Sequence, residues 1–122
     1  MEAELETGLE ASYAFAAEGQ LLTDVGGTLP RPVLSTPGMI AMMERTAAQL
    51  VHPLVGEGKA TVGFEVCVKH VGGAYEGTRL VARARLDEIV DERKLRFAVE
   101  VATSDGRTIG IGTHERRVVE TH

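Results

Sequence analysis

Apolar and polar positions change period along this chain, and the change separates one helix from several strands. From Ile40 onward, apolar residues recur at Met43, Ala47, Ala48 and Val51, the three-or-four spacing of a core-facing helix stripe. Thr36 is a suitable N-cap and Pro37 fits the first helical position. Pro53 and the Gly56-Glu57-Gly58 turn end the run, so the pattern predicts a helix over roughly 37–55. Elsewhere the period is two. Residues 9–17 read as a first strand, and 59–70 alternate with Val62, Phe64, Val66 and Val68 on one side. Residues 78–90 set Leu80, Ala82, Ala84 and Leu86 against Arg79, Val81, Arg83 and Arg85. Residues 94–103 turn Leu95, Phe97, Val99 and Val101 inward, and 107–119 form a last strand. Gly72-Gly73, Asp91-Glu92 and Ser104-Asp105-Gly106 supply the turns, while 18–32 read as a connector rich in Gly and Pro.

One central helix followed by an antiparallel meander is an α+β layer, helix on sheet, within one domain over residues 1–122. One helix covers only part of such a sheet, so a second copy is expected to cover or extend the rest, which makes a homodimer. Whether dimers pair further into a dimer of dimers is left open.

Length changes this picture little: 122 residues suffice for one proper core. A net charge of -5, with no basic cluster interleaved with aromatics, argues against nucleic acid as a partner. No apolar run approaches the roughly 18 residues of a membrane span, and the acidic start Met1-Glu2-Ala3-Glu4 is unlike a basic targeting segment. A lone cysteine, Cys67, excludes a disulfide framework within this sequence, and a cytoplasmic setting is expected.

The helix carries the first candidate for chemistry. Glu44 falls four residues after Ile40 and four before Ala48, inside the apolar stripe, whereas Arg45, Gln49 and His52 form the polar face. An ionised carboxylate against a core costs several kcal/mol unless it is paired, so its place asks for a reason. His70 continues the parity of Val66 and Val68 as its strand runs into Val71-Gly72-Gly73, a usual setting for a pocket. Thr36, whatever it does as a cap, lies at the positive end of the helix, where backbone N–H groups such as that of Gly38 can face an oxyanion. Met39, Met42 and Met43 read as flexible core or apolar pocket lining. No nucleophile elbow, phosphate loop, dinucleotide fingerprint or metal-ligand spacing is present, so no metal or redox cofactor is expected.

Three stretches together resemble the hot-dog-fold thioesterases, in the fluoroacetyl-CoA thioesterase branch. They are Thr36-Pro37-Gly38 through Met43-Glu44, then Cys67-Val68-Lys69-His70, then Gly112-Thr113-His114-Glu115-Arg116. The Glu stands eight residues after the Thr and the His 26 residues after the Glu, in register with that family's Thr/Glu/His set. The resemblance implies a long helix wrapped by a five- to six-stranded antiparallel sheet, two such sheets joined edge to edge, and active sites at the subunit interface. It implies Thr36, Glu44 and His70 as the catalytic residues of an acyl-CoA thioesterase, with coenzyme A as part of the substrate. Gly38, Gly63, Met43 and Arg116 become substrate-contacting candidates, Gly63 as the small residue facing the acyl group. Strand parity sets Gly63 opposite His70 unless a bulge intervenes. Arg79, Arg83, Arg85 and Arg117 join Arg116 as partners for the CoA phosphates, or form a solvated face.

That branch places aromatic residues ahead of the helix, whereas here Val25-Gly26-Gly27-Thr28-Leu29-Pro30-Arg31-Pro32-Val33-Leu34 contains none. The expectation is therefore hydrolysis of a short or medium acyl thioester, with Glu44 as general base or as nucleophile. Two other readings compete: a binding module that keeps the pocket without turnover, and a hot-dog dehydratase, whose Asp-x-Asn-Pro-x-His motif is missing.

Overall fold

The structure, a computed structural model, describes residues 4–121. Five strands form one antiparallel sheet: β1 (Glu10–Ala16), β4 (Lys59–His70), β5 (Arg79–Val90), β6 (Lys94–Thr103) and β7 (Thr108–Glu120). Their order is β1-β5-β6-β7-β4, so β5 to β7 are the expected meander, but β4 lies beyond β7 at one edge and β1 at the other. The Gly72-Gly73 turn therefore does not close a hairpin. Val71 and Gly72 both donate to Ile109 O, at 2.8 and 3.0 Å, and the chain crosses to β5 on the far side of β6. Glycine is needed there because a Cβ on Gly72 would lie 2.6 Å from Thr108 O. The connector also holds two strands unpredicted from the sequence, β2 (Leu22–Thr23) and β3 (Val33–Leu34), which pair with each other. They are too short for period two to register.

One long helix, α1 (Thr36–Val51), lies across one face of the sheet. Its N-cap is Ser35, one residue earlier than expected: Ser35 Oγ accepts from Gly38 N at 2.9 Å, and Thr36 becomes the first helical residue. The α-helix ends at Val51 and passes into a turn of 3-10 helix over His52–Leu54 around Pro53. Met39, Met42, Met43, Ala47 and Val51 are buried against Leu80, Leu86, Leu95, Phe97, Val101 and Ile109. Each large side chain so buried contributes about 1.5–3 kcal/mol. Gly110 lets α1 approach, since a Cβ there would run into the thioether of Met39. The stripe is centred on Met39, Met43 and Ala47, so Ile40, Glu44 and Ala48 form its half-buried flank beside β4.

The inward faces of β5 and β6 are those read from the sequence, and β4 is not. A bulge between Gly63 and Glu65 breaks its register with β7. Before the bulge Gly63 faces α1. Phe64 points outward beneath Arg117, 3.6 Å from the guanidinium, and Val66, Val68 and His70 face α1 beyond it. Val62 and Phe64, expected inside, are 48% and 58% exposed. The extra residue reverses which parity faces the helix, and it brings Gly63 onto the same face as His70. Among the described residues, no helix is long and apolar enough to cross a membrane.

Candidate active site

Two groups of polar side chains meet the helix side of the sheet. The first is Thr36 with His70. Capping by Ser35 sets Thr36 in the first turn of α1, and the end of β4 carries His70 up to it, so Thr36 Oγ1 and His70 Nδ1 are hydrogen-bonded at 2.8 Å. The opposite nitrogen, His70 Nε2, is buried and has no hydrogen-bond partner among the described residues. A buried polar atom without a partner is uncommon, and it marks a place where a further polar group belongs.

The second group surrounds Glu44. Its Oε2 lies 3.6 Å from Arg116 Nη1, an ion pair longer than a hydrogen bond, with the Glu44 side chain 37% exposed. Gly63 forms the floor: a Cβ there would stand 2.6 Å from Glu44 Oε2 and 3.6 Å from Arg116 Nη1. Arg116 is buried and tied down, its Nε donating to Thr61 Oγ1 at 2.8 Å and Nη2 to Thr61 O at 3.0 Å. Burial lowers the Arg116 pKa from its ordinary value, and the Glu44 carboxylate opposes that shift. Beside it, His114 is buried, stacked on Phe97 with ring centroids 6.0 Å apart, and held below the usual histidine pKa chiefly by desolvation.

Within one chain the two groups stand apart. Thr36 and Glu44 are two helical turns from each other, about 12 Å along the axis. Among the described residues, neither Thr36 nor His70 hydrogen-bonds to Glu44 within the protomer. Gly38 is buried and its N–H donates to Ser35 Oγ, so it is not the free donor expected for an oxyanion. Met43 is 1% exposed and belongs to the core, not to an open lining. Of the arginines considered for phosphates, Arg83 pairs with Glu100 at 3.2 Å, Arg85 with Asp87 at 2.6 Å and Arg117 with Glu115 at 2.6 Å, all on the outer face of the sheet.

Sequence reasoning missed His114, Thr61 and Tyr75. The shared parity of His114 and Arg116 is visible along β7, but their contact with Thr61 depends on the β4–β7 pairing. Tyr75 follows the crossover from β4, bridges to Val33, and lies under Arg31 at 3.9 Å. An aromatic ring therefore stands beside the segment that contains none of its own. An apolar cleft of about 510 Å³, lined by Ala48, Gln49, His52, Pro53, Ala60 and Thr61, opens one helical turn beyond Glu44. A cleft of similar size, about 520 Å³, includes Arg83, Arg85 and Glu100 in its lining and belongs to the outer face, away from these groups.

A long helix laid across a five-stranded antiparallel sheet, with polar groups between helix and edge strand, is the hot-dog arrangement. A hot-dog-like protein from Thermanaerovibrio acidaminovorans superposes with a TM-score of 0.82 at 21% identity, covering 94% of this chain and 84% of that one. A thioesterase-superfamily protein from Thermus thermophilus gives 0.84 at 24% identity, over 94% and 84% of the two chains. Residues 18–122 match the family model of the fluoroacetyl-CoA-specific thioesterases, and the chain belongs to that family. The fluoroacetyl-CoA thioesterase of Streptantibioticus cattleyicolor is 32% identical over 88 residues, 71% of this chain. The matched part spans 61% of that relative's length. A variant of a fluoroacetyl-CoA thioesterase solved with acetyl-CoA superposes with a TM-score of 0.85 at 23% identity, over 95% of this chain and 90% of that one.

Proposed function

We propose that this protein hydrolyses acyl-CoA thioesters of short or medium acyl length at a site completed by two copies of the chain. The observation that carries the reading is the Thr36–His70 hydrogen bond with His70 Nε2 buried and unpartnered, while Glu44, in register with the family's Thr/Glu/His set, stands about 12 Å away on the same helix. An edge strand with Val62 and Phe64 exposed is suited to pairing with a second β4. Antiparallel pairing about an axis near Val66 brings Gly63 of one strand close to His70 of the other. Glu44 of one protomer then faces the Thr36–His70 pair of its partner.

In this arrangement Glu44 takes the proton of an attacking water, or attacks the thioester carbonyl itself and is released by water. The C–S bond breaks as the new C–O bond is completed, and the proton given up by the water passes through His70 to the departing thiolate, so that both side chains end as they began. Thr36 fixes the ring of His70 so that Nε2 faces the reacting atoms. The test is free-thiol release from a panel of acyl-CoAs, with Glu44→Gln beside the wild type. Wild-type release that falls at least 10³-fold in Glu44→Gln, with the melting temperature preserved, supports the assignment. Equal rates would overturn it. No release, with CoA esters still raising the melting temperature, would make the protein a binding module.

A further inference from the structure

The proposed chemistry depends on where the Glu44 carboxylate is held, and Arg116, which faces it, is itself held by a second buried side chain. Arg116 Nη1 is shared: it lies 3.6 Å from Glu44 Oε2 and 3.2 Å from His114 Nε2. A guanidinium has only donors, so the His114 Nε2 that meets it offers a lone pair. On the far side, His114 Nδ1 is 2.8 Å from Glu65 O, a carbonyl at the bulge of β4. A carbonyl only accepts, so Nδ1 carries the hydrogen. Both neighbours demand the same form of the ring.

We infer that His114 is a positioning residue, fixed as the neutral Nδ1–H imidazole between the bulge carbonyl of Glu65 and Arg116, and that it aims the guanidinium so as to set the Glu44 carboxylate above Gly63. The inference rests on the role given to Glu44 above. The ring is placed for this duty: it is 2% exposed and lies against Phe97, whose own side chain is in the core. Protonation would turn an N–H toward the N–H of Arg116 and set a second positive charge 3.2 Å away. Desolvation, helped by the Arg116 charge, already disfavours that form, while the Glu65 carbonyl on β4 and the Glu44 carboxylate on α1 act against the shift. Without His114, Thr61 still holds Nε and Nη2, but no other described residue on the sheet side fixes Nη1, the atom that meets Glu44.

Two measurements decide it. Nitrogen-15 NMR of the histidine rings in the intact wild-type protein should report His114 as Nδ1–H at neutral pH, and an Nε2–H ring or an imidazolium would overturn the inference. In thiol-release kinetics, His114→Phe, which keeps a ring against Phe97, should lower kcat about tenfold with KM within twofold. His114→Gln, which returns an oxygen acceptor to Arg116, should restore most of that loss. His114→Phe should add little when combined with Gly63→Ala, because both displace the same carboxylate. An unchanged kcat, or losses that multiply, would overturn the inference. If His114→Phe does not fold, His114→Leu, which also removes the lone pair facing Arg116, takes its place, with the same outcomes for and against. A wild type that hydrolyses no thioester is a failure of the functional reading. An active enzyme that is indifferent to His114 is a failure of this one.

Discussion

Gly63→Ala isolates the geometry of the site from the stability of the fold. The added Cβ would stand 2.6 Å from Glu44 Oε2, so the carboxylate must retreat by about 0.8 Å to reach ordinary contact. The other neighbours, Arg116 Nη1 and His114 Cε1, are each 3.6 Å away and need not move. Because the displaced atom ends a flexible side chain, the backbone of β4 is not pushed. Gly63 lies outside the left-handed region, so alanine is allowed there and stiffens the unfolded chain by about 0.5–1 kcal/mol. The weakened ion pair is long and its carboxylate more than a third exposed, so its loss costs at most about 1 kcal/mol.

These terms nearly cancel, and the melting temperature should stay within roughly 4 °C of wild type. Catalysis should not be spared. A displacement near 1 Å of a reacting group costs on the order of 10²-fold, which is about 2.7 kcal/mol of barrier. The assay is kcat and KM from continuous thiol release, with thermal unfolding measured on the same samples. A variant that keeps kcat within twofold of wild type would refute the reasoning that Glu44 acts from its place above Gly63. A variant that loses activity only in proportion to lost stability would refute it as well.

Two further outcomes are expected. Ser35→Ala removes the cap that accepts from Gly38 N, and should cost about 1 kcal/mol of stability in urea unfolding. It should also lower activity through Thr36, whose place in the first turn that cap defines. Glu115 is buried on the outer side of β7, and hydrogen bonds from Arg96 and then Arg117 hold its pKa below the ordinary 4.5. A depressed carboxylate stabilises the fold fully above its unfolded pKa and loses that contribution as pH falls through the folded one. Glu115→Gln should therefore be less stable than wild type near pH 7, and the difference should shrink as pH drops below about 4.5. A difference that does not vary with pH would show that these arginines do not hold the carboxylate in its charged form.

What was legible follows from where each strand sits. β5 and β6 are interior strands, paired on both sides, and Leu80 to Leu86 and Leu95 to Val101 alternate without interruption because every inward position is enclosed. β4 is an edge, and there an outward Phe64 lies exposed beneath Arg117, so the pattern of apolar residues no longer reports which side is the core. A bulge is also invisible to a count by twos, since Phe64 and Glu65 face the same way. The contacts of His114 and Arg116 with residues 61–65 join segments about 50 positions apart, and no local spacing encodes them.

The Thr36-to-Glu44 interval shows how a spacing can be read correctly and still be incomplete. Eight residues match the family's register, yet the same eight residues are two turns of helix, about 12 Å, too far for a carboxylate to reach the partner of its own threonine. That separation is the reason the proposed site draws Glu44 from one copy and the Thr36–His70 pair from another. The proposed division is physically workable. Each half is stabilised where it stands, Thr36 by the cap beneath it and Glu44 by Arg116, and the bulge turns Gly63 toward the helix so that the carboxylate has room. A site of this kind should lose activity on dilution below the dimer dissociation constant while each protomer keeps its fold. Mixing Glu44→Gln with His70→Ala protomers, each inactive alone, should restore up to about a quarter of wild-type sites if subunits mix at random. Mixed protein as inactive as its parents would place all three residues in one chain's site and defeat the argument.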